Sequence, residues 1–188
     1  MAVTKAKNEI ALIDVALVTV STDDTNEMAF TTSNQVTVEP TIETSEDNNL
    51  IIKDVLLAKK RGASTLTGVT ITLTDNVFNP ELVQILQGGT VEYDSTDPTK
   101  FKKYTPPVSG SGEKGAIFTL KLYSTNYDTS GLPKGYVTTI FPNCQGAPIA
   151  MGATDGTWEA PSYTITSAPE TGEAPYTKEY VAALPAIT

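Results

Sequence analysis

The chain has 188 residues, 39% of them hydrophobic and only 19% charged, with a formal net charge of −9 and no histidine. That length suits one domain with a core of its own, and the acidity repels phosphate, which argues against a protein that grips nucleic acid. The missing histidine removes the commonest general base and metal ligand, and the single Cys144 cannot close an intrachain disulfide, so nothing marks an oxidising compartment.

Residues 1–8 are polar and the apolar run after them is broken by Asp14, so no signal peptide is read. No stretch is long enough to span a membrane. Residues 10–20 are apolar and β-branched and predict a strand, followed by a polar turn over 22–27. Residues 34–44 alternate, with Val36, Val38 and Ile42 on one side. Pro40 falls inside this run and places it at a sheet edge or a bulge.

Next comes an acidic group (Glu43, Glu46, Asp47), then an apolar segment that starts at Leu50, Ile51 and Ile52, then a basic group (Lys59, Lys60, Arg61). This order predicts an extended hairpin or arm over about 43–65. Its charges either pair within the chain, where surface pairs contribute little, or meet opposite charges on a neighbouring copy.

The centre of the chain changes period. Val69, Ile71 and Leu73 alternate with Thr70, Thr72 and Thr74, as in a half-buried strand. Asn79 can then cap a helix, Pro80 suits its first position, and Glu81 lies at the positive end of its dipole. Leu82, Ile85 and Leu86 form one apolar face, and Gly88-Gly89 can stop the helix. A short helix over about 80–87 is therefore predicted to plug one end or face of a β domain, with a strand again at 90–93. Pro98, Pro106, Pro107 and Gly110-Ser111-Gly112 mark a long surface loop. Strands are predicted at 116–123 and at 135–141, the latter stopped by Pro142. The last two are predicted at 158–167 and 177–184. The fold class is mainly β, a sandwich or barrel with one short helix, in a single domain over 1–188 with a possible extension from about 150.

No catalytic or cofactor constellation stands in the chain. A nucleophile–histidine pair is impossible, and no Gly-x-Ser-x-Gly, Walker A or Gly-x-Gly-x-x-Gly motif occurs. The carboxylate pairs Asp23/Asp24 and Glu92/Asp94 lie where ordinary surface acids do. The oxygen-rich runs 23–27 and 46–49 lack calcium-loop spacing and read as polar turns. Cys144 has no basic neighbour in sequence to activate it and reads as a small buried residue. Trp158 and the tyrosines read as packing residues or as a sugar-stacking platform. The expectation is a non-enzyme with no metal and no cofactor.

The run TGVTITLTDNVFNPELVQILQGGTV resembles the core segment of major tail, or tail tube, proteins of tailed phages of Gram-positive hosts, most closely over 50–91. The resemblance implies a virion subunit, made in the host cytoplasm, that forms six-membered rings stacking into a hollow tube through which DNA passes unbound. It implies partners in further copies and in other tail proteins such as a tape measure, terminator or baseplate. The arm, with Glu43, Glu46, Asp47, Leu50, Ile51, Ile52, Lys59, Lys60 and Arg61, would make ring-to-ring contacts, and the helix would sit outside the channel wall. The alternative is a β-sandwich carbohydrate- or receptor-binding module, with Tyr123, Tyr127, Tyr136 and Trp158 exposed.

Overall fold

A computed structural model describes residues 10–23 and 27–187. The polar start over 1–8 and the positions Asp24, Thr25 and Asn26 of the first turn lie outside the described residues. The elements run β1 (Leu12–Ser21), β2 (Glu27–Phe30), β3 (Ser33–Thr44), β4 (Asn48–Ile52), β5 (Val55–Lys60), β6 (Ser64–Asp75), α1 (Pro80–Gln87), β7 (Thr90–Tyr93), β8 (Phe101–Thr105), β9 (Phe118–Tyr127), β10 (Pro133–Gly146), β11 (Ser162–Ser167) and β12 (Thr177–Val181).

Eight strands make one sheet in the order β2-β1-β9-β10-β11-β6-β3, with β12 also on β10. Every pair in it is antiparallel. The sheet doubles over at β10. Over Tyr136–Ile140 this strand has β9 on one side and β12 on the other, and from Cys144, which still pairs with Phe118 of β9, β11 takes the place of β12. The change falls at Pro142-Asn143, where Asn143 has φ +47 and the register slips. Pro142 therefore does not stop the strand, as the sequence suggested. It marks a bulge, where a missing amide donor does no harm. The start of β1 comes near β3 across a shallow hollow, without a ladder between them, so the sheet is a folded-over sandwich and not a closed barrel.

Alternation decides which residues enter the fold. In β6, Val69, Ile71 and Leu73 are buried while the threonines between them are half-buried. They meet Val18 and Val20 of β1, Phe118 and Leu120 of β9, Phe141 and Cys144 of β10, and Tyr163 and Ile165 of β11. The helix closes one end of this core. Asn79 accepts from the amides of Glu81 and Leu82 at 3.1 Å, Pro80 takes the first turn, and Gly88 at φ +82 ends the helix. Val83 is buried as well as the predicted Leu82, Ile85 and Leu86. Removing the cap with Asn79→Ala should cost about 1 kcal/mol, read as a fall in melting temperature of about 2–4 °C for a chain of this size.

The predicted strand at 90–93 is β7, which packs on α1 and forms a separate hairpin with β8, a strand inside the stretch that the prolines marked as loop. Tyr93 donates to Glu81 at 2.6 Å, an acidic partner that pushes the phenol up to about 12. Tyr104 donates to the carbonyl of Gly88 and accepts from Gln87, both at 2.8 Å. The final strands are shorter than predicted, and Trp158 lies in the loop before β11 rather than in the strand. β11 sits between β10 and β6, so residues beyond 150 supply part of the main sheet.

Candidate assembly interface

Strands β3 and β6 continue past the domain as a two-stranded ribbon. Their register runs from Ser33↔Asp75 out to Thr44↔Ser64, and Pro40 lies on the outer edge strand as its missing amide requires. Beyond Thr44 the ribbon passes a joint and becomes the β4–β5 hairpin, with Asn48 opposite Lys60 and Ile52 opposite Val55. The arm over about 43–65 thus takes the predicted hairpin form. Lys53 and Asp54 at its tip have φ +48 and +61, which fits a two-residue turn of the primed type.

The joint is cross-strapped. The Ser45 amide donates to the Ala63 carbonyl at 3.0 Å, and the Ala63 amide donates to the Ser45 hydroxyl at 2.9 Å. The Asp47 carboxylate accepts from the Gly62 amide at 2.8 Å and pairs with Lys59 at 2.5 Å. Gly62 has no alternative here, because a Cβ would stand 1.8 Å from the Ser45 carbonyl oxygen. Lys59 first, and then the Gly62 amide, hold the Asp47 carboxyl below its ordinary 3.8. A depressed acid stabilises the folded form above its unfolded value and loses that effect as pH falls through the folded value. The joint should therefore hold at neutral pH and loosen only below the ordinary carboxylate range. An NMR titration should show the Gly62 amide shifting there in the parent, and already shifted at pH 7 in Asp47→Ala.

Of the charges singled out in the sequence, Lys59 and Asp47 pair within the arm. Among the described residues Glu43, Glu46, Lys60 and Arg61 make no ion pair within the chain. The apolar residues between them have no cover. Leu50, Ile51, Ile52, Val55, Leu56 and Leu57 are each between 50% and 59% exposed. Three consecutive aliphatics on each strand put apolar groups on both faces of the ribbon. Fully burying one such side chain is worth about 1.5–3 kcal/mol, so six left half exposed forgo on the order of 5–9 kcal/mol. An isolated two-stranded hairpin is also marginal in water.

The end of the sandwich away from the helix is open. The helix packs through Leu86 at the Gly146 end of β10. The opposite end, at Leu12, Leu66 and Leu122, opens into an apolar cleft of about 340 Å³. Val38, Pro40 and Leu66 form one wall, Leu122 and Phe141 the other, and Lys178 of β12 stands in its lining.

The remaining candidates are dispersed. Burial pushes the Cys144 thiol up to about 12, far from an activated nucleophile. Tyr123 is buried, against the exposed setting that a binding platform needs, whereas Trp158 is 94% exposed on its loop. Among the described residues no two of Tyr123, Tyr127, Tyr136 and Trp158 are in ring contact. No three Cys, Asp or Glu side chains of the described residues gather as a metal site, and no described helix is long and apolar enough to cross a membrane. Sequence reasoning missed the cleft, which is assembled from six strands distributed along the chain.

No family model matches the chain, and no curated protein matches it. Among solved structures it is similar to a chain in the 6-fold symmetrised cryo-EM structure of the anti-feeding prophage baseplate. The two are 12% identical over 96% of this chain and 94% of that one, with a TM-score of 0.35. At that identity and TM-score, function has to be argued from the chain's own surface.

Proposed function

We propose that this chain is a structural subunit of a phage-like tail tube. Copies form six-membered rings, the rings stack into a hollow tube, and DNA passes through the lumen without being gripped. The subunit performs no catalytic step and takes no cofactor. It works in the virion after synthesis in the host cytoplasm, beside other tail proteins such as a tape measure, terminator or baseplate. The observation that carries this reading is the arm, with six half-exposed aliphatic side chains on a ribbon that needs another surface to cover it. Edge strands support it. β2 and β3 end the sheet path and β12 pairs only β10, which leaves ladder groups for joining neighbours in a ring. The net charge of −9 suits a lumen that does not hold DNA. The resemblance of residues 50–91 to tail tube proteins supplies the kind of assembly.

Negative-stain electron microscopy of the concentrated protein, with light scattering on the same sample, tests this. Rings or stacked hollow tubes are the expected result. A protein that stays monomeric at every concentration overturns the reading.

A further inference from the structure

The geometry points to a specific acceptor for the arm: the apolar cleft at the open end of the sandwich in a second copy receives the β4–β5 tip. This rests on the assembly reading and adds which surface takes the arm. Two unpartnered apolar surfaces lie on one chain. The tip offers Leu50 to Leu57 without cover, and the cleft offers Leu12, Val38 and Leu66, each between 38% and 42% exposed. At the rim, Lys178 of the cleft can meet Asp54 of the turn, whose neighbour Lys53 leaves the turn neutral, so the apolar surfaces carry the match.

The same chain cannot satisfy both surfaces. Val38, Pro40 and Leu66, one wall of the cleft, are also the root of the arm. From that root the ladder runs outward to Thr44↔Ser64 with one bulge at Thr41–Ile42, and the joint beyond is strapped by Ser45, Asp47 and Gly62. At about 3.3 Å per residue, Leu56 lies roughly 40 Å along the ribbon from Val38. The tip residues stay exposed and none of them lines the chain's own cleft, so the occupant is another molecule. Each copy then gives one arm and takes one, a head-to-tail contact that continues from copy to copy.

The full chain carrying Val38→Cys and Leu56→Cys tests this. Val38 is 38% exposed and Leu56 55%, so neither change opens the core, and Cys144 is buried. A disulfide needs Cα atoms within about 7 Å, which the ribbon forbids within one copy. After diamide, a non-reducing gel should show a ladder of trimers and larger species, with at most dimers for either single variant. A second variant, Leu66→Asp, should abolish assembly in light scattering while its circular dichroism and melting stay those of the parent. If the double-cysteine protein assembles but yields no ladder and Leu66→Asp assembles like the parent, the cleft is not the acceptor and the assembly reading still stands. If the parent chain itself never assembles, both fall.

Discussion

Deleting residues 46–61 should give a folded monomer that cannot build long assemblies. The deletion joins Ser45 to Gly62, so Thr44 and Ser64, already opposite each other, are bridged by Ser45-Gly62-Ala63. Three residues including a glycine can close an antiparallel pair. Every residue removed lies beyond the core, and all of β4 and β5 is exposed. The melting temperature should therefore stay within a few degrees of the parent, while scattering and microscopy change from assembled to monomeric. Solubility should also rise, because six exposed aliphatic side chains have gone. Tubes as long as those of the parent would show that the arm does not hold copies together.

Gly146→Val should unseat the helix from the core. At Gly146 the end of β10 runs against the helix, and a Cβ would stand 2.5 Å from the Leu86 Cβ and 2.6 Å from the Leu86 Cα and carbonyl oxygen. These are main-chain atoms and the root of a buried side chain, so no rotamer change relieves the clash. From the other side Gly115 leaves as little room, with the Leu86 oxygen 2.2 Å from a would-be Cβ, and the Ala116 amide donates to the Ile85 carbonyl at 2.8 Å. Held by both, α1 can yield only by leaving the core. The cost should be about 3 kcal/mol, the upper end for overpacking, or roughly 6–12 °C in melting temperature. Thermal unfolding followed by circular dichroism checks this. A loss of under 2 °C would mean that the helix can slide, and that the plug is looser than its packing indicates.

The contrast between these two variants follows from how much of the molecule local sequence could reveal. The helix was legible to the residue because cap, first-turn proline, apolar face and glycine stop all act within one short segment. The arm was legible in outline because its charges and aliphatics are ordered in blocks. The bulge at Pro142-Asn143 was not, since a proline followed by more strand looks like a stop unless the change of partner is known. Strand β8 was hidden for a similar reason. Phe101 to Thr105 carries two lysines between aromatic residues and pairs only with β7, so it lacks the apolar alternation of a core strand. Tyr123 was misplaced by one face, because β9 alternates cleanly at Phe118 and Leu120 and then buries both Tyr123 and Thr125. The cleft depends on six strands meeting, which no window of sequence contains.

The position of β6 in the sheet has a consequence for how the protein is made. Its neighbour on one side, β3, is in hand as soon as β6 leaves the ribosome. Its neighbour on the other side, β11, is among the last strands to be synthesised. Folding of the body must wait for that distant pairing, a topology that slows folding, while the aliphatic tip at 50–57 has already emerged. Nascent chains on one messenger thus present sticky ribbons before they present any receiving surface. Expression yield should be governed by that interval, so slower growth at low temperature or co-expressed chaperones should raise the soluble fraction of the parent chain far more than that of the arm-less form.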